Sequence, residues 1–428
     1  MSIVKHRFGA VPVESTRGAR VLLIGLIFVA VALNYVDRQV LALLKPTLEA
    51  RFDWSDQDYA LLGTAFQITA AASFMFVGWF VDRFGVRRAL GWGVGMWSLA
   101  GIAHAFAATV TQFVVARIAL AAAETVGTPA AVKSAAVYLP VKERSFALGL
   151  GNTAPNIGAI VTPLLIPPFA LAFGWQAAFI VTGALGFVWL IFWIVGTKKL
   201  VPVEQPAAPT QPADAPAKVD WSEFFADRRT WAVIGAKLLS DLGWFFLLFF
   251  MPDFFARVFN MKQGTLGGPT AVAYSFAAIG ALSSGLVFPM LLNRGWSMNR
   301  SRKTSMFFYA CMILPMPLAI YAPDPWTAAI IIGVALFAHQ GFSTNVFGMT
   351  ADAVPVARVA TVIGAGAVAG NLSGAAMIWF AGYSLVHGWG YWPMFAICAS
   401  AYLLALLWIH MMLPVIRPAH GQKRPALP

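Results

Sequence analysis

Apolar runs of about twenty residues recur along nearly the whole chain, separated by short polar breaks. A helix of that length rises about 30 Å, the thickness of a bilayer's hydrocarbon layer. In that medium the backbone must satisfy its own hydrogen bonds, so runs of this kind leave a bundle of membrane helices as the natural architecture. The pattern predicts twelve helices, at 20–45, 57–81, 87–108, 111–133, 143–170, 175–196, 228–256, 269–292, 303–322, 325–351, 358–385 and 390–414. Only Pro140 and Lys142, between weakly polar flanks, mark the break before the fifth. Of the 428 residues, 59% are hydrophobic and 11% charged. Soluble domains average about 25% charged residues, so too little polar surface is present for a soluble fold.

The net charge of +12 suggests nucleic acid until its distribution is read. Arg83, Arg87, Arg88, Lys133, Lys142, Arg144, Arg294, Arg300, Arg302, Lys303 and Arg358 fall in loops on one side, with further basic residues in both tails. The other side has only Lys45, Arg51, Arg257 and Lys262. That asymmetry predicts a multi-pass protein with both termini cytoplasmic, and makes the basic charge a topology signal. The first apolar stretch is too long for a typical signal-peptide core. Cys311 and Cys398 fall inside predicted helices, so no structural disulfide is expected.

From Lys198 to Asp227 the chain turns polar and rich in Pro and Ala, the composition of a linker. It separates six predicted spans from six. Three units follow: an N-terminal six-helix bundle at 1–197, a cytoplasmic linker at 198–227 and a C-terminal bundle at 228–428. The loop after span 2 runs from Gly78 through Asp82, Arg83, Gly85, Arg87 and Arg88. Asn293-Arg294-Gly295, Arg300, Arg302 and Lys303 echo it after span 8, which suggests duplication. Two related halves fit a carrier with its substrate site between them near the midplane.

Charged residues inside apolar segments are costly and mark functional positions. Asp37 and Arg38 lie in the first span beside Asn34 and Tyr35. A guanidinium is a planar, permanently charged fork suited to carboxylate, so Arg38 is a candidate anion site. An Asp37–Arg38 bridge is the plain alternative, though neighbours on a helix point about 100° apart. Glu124 falls near mid-membrane in the fourth span. Burial favours the neutral acid and a nearby Arg the charged one, and a group caught between them can load and release a proton. Asp37 is a second candidate for that role, and Arg117–Glu124 pairing is the structural alternative. Lys237 and Asp241 stand four apart in the seventh span and can pair or meet substrate. Trp244 can wall a sugar-sized cavity. Gln340, Ser343 and Asn345 in the tenth span are either hydroxyl-binding groups or interhelical polar contacts. Asn371, among glycines of the eleventh span, can face the cavity. Asp82, Arg83 and Arg87 serve orientation, and Asp82 can also pair across helices and hold one conformation. His104 and His410 read as satisfied residues, not ligands. The chain has no phosphate-binding loop, metal-ligand cluster or nucleophile–base pair, so no enzyme, cofactor or metal is expected, and the energy is expected from an ion gradient, that of protons, or from substrate exchange.

The Gly78–Arg88 loop resembles the signature of the major facilitator superfamily. Asn34-Tyr35-Val36-Asp37-Arg38-Gln39 is similar to the first-helix motif of its anion:cation symporter branch, which includes hexuronate and galactonate transporters. Arg117 to Glu124 with Pro129, then Lys142-Glu143-Arg144 and Gly149, continue the match, and Ala338 to Asn345 resembles the tenth helix of hexuronate transporters. The likeness covers about 20–196 and 228–414. It implies proton-coupled import of a sugar-acid anion, with Arg38 meeting the carboxylate, Asp37 and Glu124 handling protons, and Arg117 belonging to the conformational machinery. The chain departs from the pattern at Thr128, Pro155, Gln176, Lys237 and Leu242, around the expected pocket.

The expectation is thus an all-α membrane protein, monomeric in the bacterial inner membrane, whose partners are a small anionic solute, protons and lipid, not nucleic acid. Rival readings are symport of an aromatic acid or dicarboxylate, proton-driven drug export, and a membrane sensor that binds without transporting.

Overall fold

A computed structural model describes residues 15–198, 200–203 and 221–417. The tails and most of the Pro/Ala-rich linker, including Lys5, Arg7, Lys199, Pro206, Pro209, Pro212, Pro216, Lys218, Lys423 and Arg424, lie outside the described residues. Every regular element described is helical. In chain order the first half holds α1 (Arg17–Phe52), α2 (Asp56–Phe84), α3 (Val86–Ala103), α4 (Val110–Glu124), α5 (Gly127–Tyr138), α6 (Val141–Phe173) and α7 (Trp175–Gly196). A short α8 (Trp221–Ala226), which hydropathy did not predict, precedes the second half. That half holds α9 (Arg228–Val258), α10 (Gly267–Asn293), α11 (Met298–Ile313), α12 (Pro325–Ala353), α13 (Val356–Val386) and α14 (Trp392–Met412).

Eleven segments among the described residues are long and apolar enough to cross a membrane. The expected third span, α3, falls short of that measure. It is 18 residues long, opens on Val86-Arg87-Arg88 and is diluted by glycines, then tightens into a 3₁₀ turn at His104–Phe106. It is still helical and packs along α7 and α4. The fourth span is two helices. Pro129 has no N–H to offer the carbonyl of Thr125, and the chain turns at Thr125–Val126 before α5 begins. Pro155, Pro163, Pro167 and Pro168 are accommodated inside a continuous α6.

Local signals set the ends. Ser55 and Asp58 form a capping box at α2. Asp324 accepts from the backbone N–H groups of Trp326 and Thr327 at the start of α12. Its carboxyl is held below the usual range by the Thr327 hydrogen bonds. Gly85 joins α2 to α3 at φ 76°, a left-handed turn that a side chain would strain.

Across the two halves of the chain, α2 packs along α13, α6 along α10, and α1 against α9. One end of the bundle collects Arg83, Arg87, Arg88, Lys133, Arg229, Arg294 and Arg300, and is the basic end. At the opposite end Phe52, Trp54, Phe113 and Trp175 form an aromatic cluster.

Candidate functional site

Between the halves lies a cavity of about 700 Å³, walled by α1, α6, α9, α10 and α12. Its lining comes from the middle turns of α6, α9, α10 and α12, displaced a few residues toward the basic end. Tyr35, Trp244, Gln340 and Ser343, all anticipated from sequence, line it.

Arg38 lies one turn along α1 from Tyr35, behind the cavity lining, with 13% of its side chain exposed. Its Nε donates to Glu124 Oε2 at 2.9 Å, and its guanidinium lies over the rings of Tyr35 and Phe66, 5.2 and 5.1 Å from their centroids. Glu124 occupies the last residue of α4, at the break before α5. That break frees its backbone carbonyl, which accepts from Asn34 Nδ2 at 3.3 Å. The Glu124 side chain is wholly buried, and its other oxygen, Oε1, has no hydrogen-bond partner among the described residues. One oxygen therefore holds the guanidinium while the other is buried without a partner.

Asp37 points elsewhere. It is 5% exposed, faces α3 near Gly101, and forms no ion pair with Arg38 among the described residues. Its Oδ1 is buried without a hydrogen-bond partner there. Arg117 is fully buried and does not pair with Glu124. It reaches the Arg38 carbonyl at 3.4 Å and lies over Phe66 of α2 and Phe249 of α9, bridging the halves.

On the opposite wall Lys237 Nζ donates to Asp241 Oδ1 at 2.7 Å and approaches Ser343 Oγ at 3.5 Å. Trp244 stacks on His339 with centroids 5.1 Å apart and stands 6.5 Å from the Tyr35 ring. A hydrogen bond of 2.6 Å between His339 Nδ1 and the Tyr402 hydroxyl holds that imidazole, and the hydroxyl in turn donates to the Ser240 carbonyl at 2.8 Å. Gln340 Nε2 donates across the cavity to Asn156 Oδ1 at 3.4 Å.

Three anticipated residues, Arg38, Asn345 and Asn371, are not among those lining the cavity. Gln340, Ser343, Thr344 and Phe347 form one helical stripe, and Asn345 falls off it. Its Nδ2 donates to the Gly341 carbonyl, and its Oδ1 accepts from Arg302, which pairs with Asp352. Asn371 donates back to the Ala367 carbonyl on its own helix and is absent from the lining. At the basic end Asp82 pairs with Lys133 of α5, Arg83 is exposed, and Arg87 donates to the Ile194 carbonyl in the last turn of α7.

Of the four basic residues expected in outer loops, Lys45, Arg51 and Arg257 lie inside helices and only Lys262 does not. Lys45 and Arg257 lie inside α1 and α9 and form a charged seal opposite the basic end. The wholly buried Lys45 ammonium contacts Glu49 at 2.8 Å, Asp56 at 2.9 Å and Asp253 at 2.8 Å. Arg257 meets Asp253 at 3.0 Å and Glu49 at 3.3 Å, and also pairs with Asp56. The Tyr391 hydroxyl donates to Asp253, and burial first, then Asp253 beside it, push that phenol well above its usual range. Each helix already carries an i,i+4 pair, Lys45–Glu49 and Asp253–Arg257; that spacing was the available signal. This cluster ties α1 and α2 of the first half to α9 of the second at the end opposite the basic loops. A buried ion-pair cluster of this kind is weak evidence for stability.

The model for the Major Facilitator Superfamily matches residues 27–378. The chain is 29% identical over 355 residues to a probable L-galactonate transporter of Escherichia coli (strain K12), covering 79% of this chain and 77% of that one. It is 26% identical over 412 residues to the hexuronate transporter of Escherichia coli (strain K12), covering 93% and 94%. Among solved structures, a bacterial homolog of the human lysosomal transporter Spinster, in an inward-facing and unoccupied conformation, superposes with a TM-score of 0.72. It is 16% identical, with 93% of this chain and 96% of that chain covered.

Proposed function

The chain belongs to the Major Facilitator Superfamily, a secondary transporter related to hexuronate and galactonate carriers, and from that membership we propose proton-coupled import of a sugar-acid anion, a hexuronate or an aldonate. The observation that carries the reading is the buried Arg38–Glu124 pair, whose guanidinium lies over Tyr35, a residue of the cavity lining. While Glu124 is ionised it occupies the guanidinium. A proton on Glu124 neutralises the carboxylate and leaves Arg38 as an uncompensated cation behind the cavity lining. A substrate carboxylate then takes the place of Glu124, and proton and anion cross together without net charge. Asp37, next to Arg38 in the chain and buried with an unpartnered oxygen, is the alternative carrier of that proton. Tyr35 and Trp244 supply the aromatic walls, and Gln340 and Ser343 meet the hydroxyls.

The basic end is then cytoplasmic by the positive-inside rule, in a bacterial inner membrane, with the protein acting as a monomer. The halves 1–197 and 228–428 move as two bodies about the site. Arg117, between α1, α2 and α9, senses that movement, and Asp82 with Lys133, Arg83 and Arg87 acts at the cytoplasmic face. A binding screen of sugar acids on purified protein at two pH values tests substrate class. Uptake into proteoliposomes under an acid-outside gradient tests coupling. Uphill uptake of a hexuronate or aldonate is expected; binding without counterflow would identify a sensor instead.

A second reading has one observation in its favour. An apolar crevice of about 160 Å³ between α1, α5 and α6 adjoins the cavity at Tyr35 and Pro155, lined in part by Ile27, Val31 and Val132. It suits the ring of an aromatic acid bound through the same Arg38.

A further inference from the structure

The second ion pair on the cavity wall has no part in the scheme above. Lys237 and Asp241 each expose only about a tenth of their side-chain surface, and that surface faces the cavity. The pair is fixed from several sides. Ser240 Oγ donates to Asp241 Oδ1 at 3.2 Å, and Lys237 Nζ lies 5.0 Å above the Phe347 ring. Helix α13 presses its backbone against both members: a Cβ on Gly370 would collide with the Asp241 carboxylate, and one on Gly366 would come within 3.1 Å of Lys237 Cγ. Glycines at these positions make room for a charged pair that lipid-facing packing would not need.

The charge balance of the two walls differs. A proton on Glu124 releases Arg38, whereas Lys237 remains neutralised by Asp241 at 2.7 Å. The wall near Arg38 therefore accepts one carboxylate, and the opposite wall offers an adjacent donor and acceptor of zero net charge. A hydroxyl both donates and accepts, so it satisfies the ammonium and the carboxylate together. A second carboxylate only accepts, and it would stand beside Asp241 in a medium that screens like charges poorly. Discrimination of this kind comes from the repulsive partner as much as from the attractive one.

We propose that Lys237 and Asp241 form a neutral subsite that reads the hydroxyl groups of a monocarboxylate and excludes a second carboxylate. Asp241 is then the specificity-determining residue against dicarboxylates. The inference rests on the sugar-acid reading of the same cavity and names which sugar acids fit: polyhydroxy monoanions, not aldaric dianions.

The test measures binding to the purified full chain with three probes: D-galactonate, hexanoate and D-glucarate. The wild type is expected to bind galactonate at least tenfold more tightly than either of the others. Asp241→Asn should lose about tenfold for galactonate, gain about tenfold for glucarate and leave hexanoate unchanged. Lys237→Met should lose galactonate without gaining glucarate. Gly370→Ala, which displaces the Asp241 carboxylate but keeps its charge, should weaken galactonate and still refuse glucarate. An unchanged galactonate-to-glucarate ratio in Asp241→Asn, with hexanoate binding showing the variant folded, overturns the subsite and leaves the Arg38 reading standing. A wild type that binds glucarate as tightly as galactonate overturns it too. Failure of every probe to bind the wild type defeats both readings.

Discussion

Lys45 Nζ, from the first half of the chain, lies 2.8 Å from Asp253 Oδ1, from the second, with the ammonium fully buried between them. No side chain of the cavity wall makes a contact of this kind with so many partners. Lys45 also holds Glu49 and Asp56, so three carboxylates converge on one cation, and Arg257 adds a second. In the proposed alternating-access cycle this end has to open, and here it is closed by charge.

Lys45→Met removes the central cation and leaves three carboxylates crowded near Arg257. Removing one partner of a buried pair costs roughly 3–5 kcal/mol, enough to move a conformational equilibrium through several orders of magnitude. Spin labels at positions 51 and 260, on either side of the seal, should move apart relative to the wild type. An unchanged distance distribution would show that the seal does not hold this end shut.

Arg38→Ala should reduce carboxylate binding at least a hundredfold, because the cavity then offers no uncompensated cation in the first half. Arg38→Lys should recover part of it, since an ammonium keeps the charge but loses the planar fork. Titration calorimetry on both variants decides the point. Retained affinity in Arg38→Ala would remove the anion-site argument.

Glu124→Gln fixes the site in the state that protonation produces. In the wild type the anion binds when Glu124 carries a proton, so affinity should rise as pH falls. In the variant, affinity should stay high across the same range. Counterflow should survive while accumulation driven by a proton gradient is lost. Normal uphill uptake by this variant would falsify its coupling role.

Tyr402→Phe deletes the hydroxyl that fixes His339 and anchors to the Ser240 carbonyl. A hydrogen bond of this type contributes about 1 kcal/mol, so affinity should fall roughly fivefold through a loosened Trp244–His339 stack. The pH dependence should not move, because no proton-carrying group is touched. A shift in the pH profile would place His339 in the proton path instead.

Much of the site was legible because helical stripes are a property of local sequence. Tyr35 and Arg38 share one face of α1, and Gln340 and Ser343 share one face of α12. The roles of Asn345 and Asn371 stayed open for the same reason. A polar residue inside an apolar run announces that it needs a partner, but not whether the partner is substrate, its own backbone or a neighbouring helix. Asn345 found Arg302 and Gly341, and Asn371 found Ala367.

Hydropathy alone determined the class of this protein: apolar runs of bilayer length must be helices wherever water is missing, whatever surrounds them. The basic loops and the break at Pro129 were equally local. Which charges meet was decided only by the tertiary structure. Arg38 and Glu124 are 86 residues apart, and Arg257 and Asp56 are 201 apart. Such pairs form because helix packing brings specific faces within 3 Å, and a Coulomb contact depends on that separation, not on position along the chain.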